Sequence, residues 1–224
     1  MEADPFDNVA VVTELLEEEY PSSNLGNKDR PFDELVYIVL ANRTREEYYQ
    51  EAFRRVKDLV GDWNQLPDVE DEDLAAAIGD AGLGRKKART LKHAASLLQN
   101  DTGEVSLDFL ENMSTEDAED YLLRIRGVGP KTAKCVLMYA LDRSVFPVDT
   151  HCARVGSRIG WLESSAHRYT KAQMHRIEER VPPRLRKSLH IRLVQHGRKI
   201  CVDGKPHCNV CPLKDLCEYY KANL

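Results

Sequence analysis

Ser114–Ala133 reads STEDAEDYLLRIRGVGPKTA, a polar start, an apolar run, and then two glycines and a proline within four residues. Ser114 followed three residues later by Asp117 marks a helix start, and Leu122–Ile125 carries that helix to its end. Gly127 and Gly129 permit positive φ, and Pro130 suits the first position of a second helix. The reading is a tight turn joining two helices, with Val128 at its tip and Lys131 and Thr132 in the first turn of the second helix. Backbone N–H groups at such a turn, together with the positive end of a helix, bind a phosphate without sequence preference. The same Gly-x-Gly spacing also serves as a plain turn.

Outward from this stretch the chain reads as helices. Apolar residues recur at helical spacing over Val9–Glu18, Phe32–Ala41, Glu46–Val60, Glu72–Ile78, Arg85–Leu98, Thr115–Arg124, Lys131–Leu141, Cys152–Ile159, Lys171–Val181 and Arg184–His196, with almost no alternation of strand type. Short breaks such as Tyr20–Asn24 and Pro182-Pro183 separate them. An all-α fold is expected. The 224 residues suffice for one large or two small domains, and no run of eighteen apolar residues offers a membrane span. No export signal is recognisable, so no membrane partner is expected. The net charge of −5 hides an asymmetry. Residues 1–120 hold 12 Lys+Arg against 29 Asp+Glu, a balance of −17, and residues 121–224 hold 20 against 8, a balance of +12. A basic half can face a polyanion whatever the total charge, because binding follows local potential. The same charges also solvate helix faces.

Four of the six cysteines crowd the C-terminus as Cys201, Cys208, Cys211 and Cys217, with six, two and five residues between them. Four thiolates hold zinc or a [4Fe–4S] cluster. Structural zinc favours two compact pairs, which the outer gaps here exceed, so the spacing leans toward iron–sulfur and leaves zinc open. A disulfide framework fits poorly in a chain of this length without a secretion signal.

Cys-x6-Cys-x2-Cys-x5-Cys resembles the iron–sulfur loop of the endonuclease III family. Arg126–Ala133 resembles that family's helix-hairpin-helix, and Pro147-Val148-Asp149-Thr150-His151 its catalytic aspartate loop. Three motifs in order cover the chain from the first helix to the end. The resemblance implies a two-lobed helical DNA glycosylase fold: a six-helix lobe over 24–143, and an iron–sulfur lobe built from 1–23 and 144–224, with DNA between them. It implies a bifunctional glycosylase and abasic-site lyase that excises oxidised pyrimidines from duplex DNA, acts as a monomer, and carries a [4Fe–4S] cluster on the four cysteines. A further domain after the cluster, which the adenine-excising branch of the superfamily carries, is not expected. If the source is prokaryotic, a cytoplasmic or nucleoid-associated location is expected.

Lys131 is the expected nucleophile, because a helix N-terminus disfavours an ammonium and a neutral amine can attack the sugar. Its plainer role is a phosphate contact. Asp149 follows by 18 residues, an interval that fits a helix and a returning loop, so the two side chains can meet at one end of the helix pair. Asp149 would assist deprotonation and stabilise developing positive charge, or simply cap the helix beginning near Thr150. Gly82–Ala88 repeats the glycine-turn pattern with Lys86 in the place of Lys131. It lacks a following Asp-Thr-His loop, so Arg85, Lys86 and Lys87 are read as backbone-binding charges. Leu83 is the candidate wedge for a flipped base, with a core leucine as the alternative. The family usually has glutamine where this chain has Arg43, and arginine can also fill the gap and donate to bases. His151 is placed beside the active site or in a structural role. Cys135 and Cys152 read as core residues. Two rival functions remain: a mismatch or methylcytosine glycosylase with the same pair, and a non-catalytic zinc-containing DNA-binding protein.

Overall fold

The computed structural model describes residues 4–21, 24–162 and 170–223, except the side chains of Asp80 and Lys171. Among them there are helices and turns and no strand. Ser22 and Ser23, in the expected break after the first helix, lie outside the described residues. The chain divides into two compact units, one formed by Asn27–Arg143 and the other by Met1–Gly26 with Ser144–Leu224.

The Asn27–Arg143 unit holds α2 (Pro31–Ala41), α3 (Glu46–Val60), α4 (Asp71–Ile78), α5 (Gly84–Thr102), α6 (Thr115–Leu123) and α7 (Pro130–Tyr139). Its edge lies at Asn27 rather than at the expected residue 24. Asn27 Nδ2 and the Lys28 backbone N–H both donate to the Glu34 carboxyl group, at 2.6 and 2.7 Å, and so tie the segment that enters α2 to that helix. Helix α2 is apolar on nearly every face, from Phe32 through Leu40, and packs on α3, α5 and α7. A helix apolar all round belongs in a core. Helix α5 outruns its expected end at Leu98 by four polar residues and stops at Gly103, whose φ of 81° suits the left-handed cap. Apolar periodicity reports only the buried face, so it misses a solvated last turn. It also misses the 3₁₀ turns at Trp63–Asp68, Gly79–Ala81 and Asp108–Asn112.

The other unit holds α1 (Val9–Glu19), α8 (Thr150–Ile159), α9 (Lys171–Arg180), α10 (Pro183–Lys199) and the short α11 (Glu218–Ala222). Helix α1 packs on α10, and α8 on α10 and α11. Val12, Leu16, Phe146, Ala153, Val155, Leu189 and Leu193 lie in its core. Phe6 stacks on Trp161 at 5.7 Å, and the Trp161 indole donates to Asn8 Oδ1 at 2.7 Å, so the N-terminal segment closes on the residues just after α8.

Candidate functional site

The 124–129 turn is built as a phosphate-binding hairpin requires at one glycine and not at the other. Gly127 has φ 96°, and a Cβ there would collide with the Thr90 hydroxyl. Gly129, in contrast to the expectation, is extended at φ −113° and caps α7. A Cβ on it would meet no protein atom within 4 Å, so the protein itself leaves the space before this glycine open. Val128 and Thr132 are buried, and the Val128 N–H donates to Ile125 O at 3.0 Å, so their side chains brace the turn from within. The Arg126 N–H donates to His93 Nδ1 on α5 at 3.1 Å. Lys131 stands in the first turn of α7, partly buried. The fully buried carboxyl of Glu34, on the neighbouring α2, interacts with its charge. Burial pushes the Glu34 carboxyl up to about 8, against the pull of its hydrogen bonds to Lys28 and Asn27 and of the Lys131 charge.

In the other unit Asp149 is the N-cap of α8, its Oδ1 accepting the His151 and Cys152 N–H groups at 2.9 and 2.8 Å. The capping reading therefore holds. The Arg154 guanidinium lies 3.0 Å from His151 Nδ1, and since guanidinium only donates, Nδ1 is the acceptor. Burial lowers the His151 pKa, with Asp149 opposing and Arg154 and Arg198 adding to the shift. Gly197 of α10 admits this ring: a Cβ there would stand 2.7 Å from His151 Cβ.

Two further turns carry exposed, left-handed residues: Arg43 at φ 56° after α2, and Leu83 at φ 53° before α5. Leu83 is 53% exposed, which removes the core-leucine alternative. Arg85 and Lys86 are exposed, as backbone-binding charges must be. Lys87 is a correction. It is 4% exposed, and Nζ donates to Leu40 O, Thr44 Oγ1 and Ala81 O at 2.6, 2.7 and 2.7 Å. One position past Lys86, the helix turns the side chain inward, where three acceptors replace water.

All six cysteines are free thiols. Cys135 and Cys152 are buried, the latter 3.3 Å from His190 Nδ1. Cys201, Cys208, Cys211 and Cys217 line one small pocket with Arg158, Lys214 and Tyr219 among the walls. Arg158 Nη1 donates to Cys201 Sγ at 3.2 Å, and Cys217 Sγ donates to Arg158 O at 3.3 Å. His196 Nε2 stands 3.5 Å from Cys211 Sγ, and its Nδ1 3.1 Å from the Tyr20 hydroxyl. A tyrosine O–H donating to Nδ1 leaves the Nε2 proton facing sulfur. Burial pulls His196 down to about 4 and pushes Cys211 up to about 11, the neighbouring thiols adding to the latter. Around one zinc ion the sulfurs would lie about 4 Å apart. Among the described residues, no group of three or more Cys, His, Asp or Glu could hold a metal ion.

Residues 36–183 match the family model described as HhH-GPD superfamily base excision DNA repair protein. The chain belongs to this superfamily. An Endonuclease III of Sulfolobus acidocaldarius is 32% identical over 211 residues, covering 93% of this chain and 91% of that protein. A putative DNA glycosylase of Arabidopsis thaliana is 34% identical over 200 residues, 85% of this chain and 67% of the relative. The chain also matches the much longer Protein ROS1A of Oryza sativa, of which it spans 10%. A trapped endonuclease III–DNA covalent intermediate superposes with a TM-score of 0.83 at 23% identity, over 97% of this chain and 98% of that one, which establishes the fold. The protein is therefore an all-α DNA glycosylase of base excision repair.

For an HhH-GPD protein, the sequence reading missed the supporting residues. Tyr20 and His196 are 176 positions apart, and nothing in the sequence links either to Cys211. Glu34 is hidden inside an apolar helix, where its spacing reads as a surface position. His196 alone left a signal, a histidine five residues before the first of the four cysteines.

Proposed function

We propose that this glycosylase is bifunctional, excising oxidised pyrimidines from duplex DNA and then cleaving the strand at the abasic site, as a monomer. The observation that carries the reading is Lys131: a partly buried lysine in the first turn of α7, beside a glycine turn with open space and near enough to the buried Glu34 carboxyl for its charge to be felt there. The neutral amine attacks the sugar C1′, the N-glycosidic bond breaks, and the base leaves with the bonding electron pair. The attacking nitrogen loses a proton, the C1′–O4′ bond breaks as O4′ takes up a proton to become a hydroxyl, and a Schiff base forms between C1′ and the lysine nitrogen. Abstraction of a C2′ proton then expels the 3′ phosphate by β-elimination. Asp149 accepts the proton and stabilises positive charge on the sugar, its other work being the α8 cap that fixes it. Gly127, Gly129 and the first turn of α7 hold a phosphate. Arg85 and Lys86 hold the backbone, while Arg43 and Leu83 enter the stack. His151, held by Arg154 and the approach of Gly197, buttresses the Asp149 loop.

The pocket's donor set fits a [4Fe–4S] cluster in its chemistry: four thiols line one pocket, the Arg158 guanidinium donates to Cys201 Sγ, and His196 Nε2 lies beside Cys211 Sγ. When bound, such a group would cross-link Cys201 to Cys217 and order the segment between them.

Borohydride trapping with single-lesion duplexes tests the chemistry. A covalent complex lost in Lys131→Ala and kept in Lys86→Ala is expected. Trapping that survives Lys131→Ala and vanishes in Lys86→Ala would place the nucleophile in the wrong turn. A second reading, excision of mispaired thymine or 5-methylcytosine by the same pair, rests on Arg43 standing where the resembled family usually has glutamine. A panel of thymine glycol, T·G and 5-methylcytosine duplexes separates the two by rate.

A further inference from the structure

Arg43 and Leu83 are exposed side chains on left-handed backbone, which non-glycine residues keep only where their surroundings over-determine it. The surroundings here converge on one buried cation. Lys87 Nζ donates to Leu40 O, three residues before Arg43; to Thr44 Oγ1, directly after Arg43; and to Ala81 O, two residues before Leu83. An ammonium has three N–H donors, and all three are used. Thr44 Oγ1 in turn donates to Ala81 O, closing the network between the two turns. Leu40 O belongs to the last turn of α2, where carbonyls lack helical partners. Stability alone does not call for an ammonium at this place, because taking a charge out of water is costly and apolar packing holds helices together equally well. A three-armed donor does what apolar packing does not: it fixes the direction and spacing of three backbone segments at once.

We propose that Lys87 is a positioning residue for base extrusion, which never touches DNA but locks the Arg43 and Leu83 turns into one rigid edge. The inference rests on the reading of Arg43 and Leu83 as the side chains that enter the stack. Without the tie, the two turns relax independently, and the flipped state loses its support while backbone binding persists.

The test uses the full chain and the duplex it processes fastest among thymine glycol, T·G and 5-methylcytosine substrates. Three quantities are read for Lys87→Met and Thr44→Val: single-turnover base release, affinity for the same duplex carrying a tetrahydrofuran abasic analogue, and the fluorescence of 2-aminopurine opposite the lesion. In Lys87→Met, release should slow by about tenfold or more, affinity for the analogue should change by less than about threefold, and the 2-aminopurine rise on binding should be lost. Thr44→Val removes one acceptor and should move release and fluorescence the same way by a smaller factor. It carries the test alone if Lys87→Met does not fold. Release and analogue affinity falling together by one factor would mean a merely structural lysine and overturn the proposal, as would release unchanged in both variants. Unchanged release in both Arg43→Ala and Leu83→Ala would overturn the reading beneath it, and the proposal with it.

Discussion

Gly127 and Gly129 flank a single valine yet serve different physics. Gly127 is demanded by the protein, through its positive φ and the Thr90 hydroxyl against its Cα, whereas Gly129 is demanded by nothing inside the protein. Gly127→Ala should therefore cost about 2–4 kcal/mol of stability. Gly129→Ala should cost no more than about 1 kcal/mol, the usual penalty for alanine at an N-cap, and yet weaken binding to duplex DNA, because a methyl group stands where the phosphate approaches. Thermal melts and fluorescence anisotropy at fixed salt check the pair, and equal melting losses or an unweakened Gly129→Ala would sink it. Glu34 sets a second expectation. Its folded-state pKa is raised from 4.5 to about 8, chiefly by burial, so the folded chain holds a proton that the unfolded chain releases near 4.5. The stability it contributes is present below pH 4.5 and lost as pH rises toward and through 8. Glu34→Gln should flatten the fall in melting temperature between pH 5 and 8.5, and an unchanged slope would show that the carboxyl is ionised when folded.

The elements differ in what holds them. Helix α2 is stapled by its own apolar surface, with Leu35, Val36 and Leu40 fully buried. The segment from Cys201 through α11 has two 3₁₀ turns, Cys208–Val210 and Lys214–Leu216, with no buried residue in either, and only Cys201, Leu213 and Cys217 buried along its length. So little apolar area leaves the segment weakly held by packing, and the proposed cluster at the four thiols would add the cross-link that orders it. Cys208→Ala should strip iron from the purified protein and remove hydrogen-exchange protection from residues 201–222. Protection in α2 and α7 should persist, since their core lies in the other unit. Stoichiometric zinc in the unmodified protein, or full protection of 201–222 after cluster loss, would contradict the assignment. In α1 the fully buried Leu16 packs in the core that also takes α10, and Leu16→Ala should cost about 2–5 kcal/mol, as a cavity there cannot collapse easily.

For the whole molecule, a net charge of −5 conceals a basic C-terminal half, and affinity for DNA should follow the local charge. The logarithm of the binding constant should fall linearly with the logarithm of salt concentration. Reversing the exposed Arg85 and Lys86 together should reduce that slope by about 0.9 per lost phosphate contact. A slope unchanged by the double variant would place both outside the DNA footprint. The helical class, the ten longer helices, the hairpin and the four-thiol set were legible in the sequence, because helix periodicity, glycine chemistry and ligand spacing are all local signals. Arg43, Leu83, Lys131 and Asp149 were legible as candidates for the same reason. What each could do was not. That Gly127 has no room for a Cβ while Gly129 has depends on Thr90, 37 residues away from Gly127 in the chain. Whether Lys87 faces solvent like Lys86 depends on three acceptors drawn from Leu40, Thr44 and Ala81. Whether Cys211 receives a hydrogen bond depends on a histidine oriented by Tyr20 from the far end of the chain. Sequence pattern by itself determined which segments are helical and which residue types are gathered near one another along the chain. Only tertiary structure decided which charges are buried and who satisfies them, because desolvation and hydrogen-bond partners are set by neighbours in space and not by neighbours in sequence.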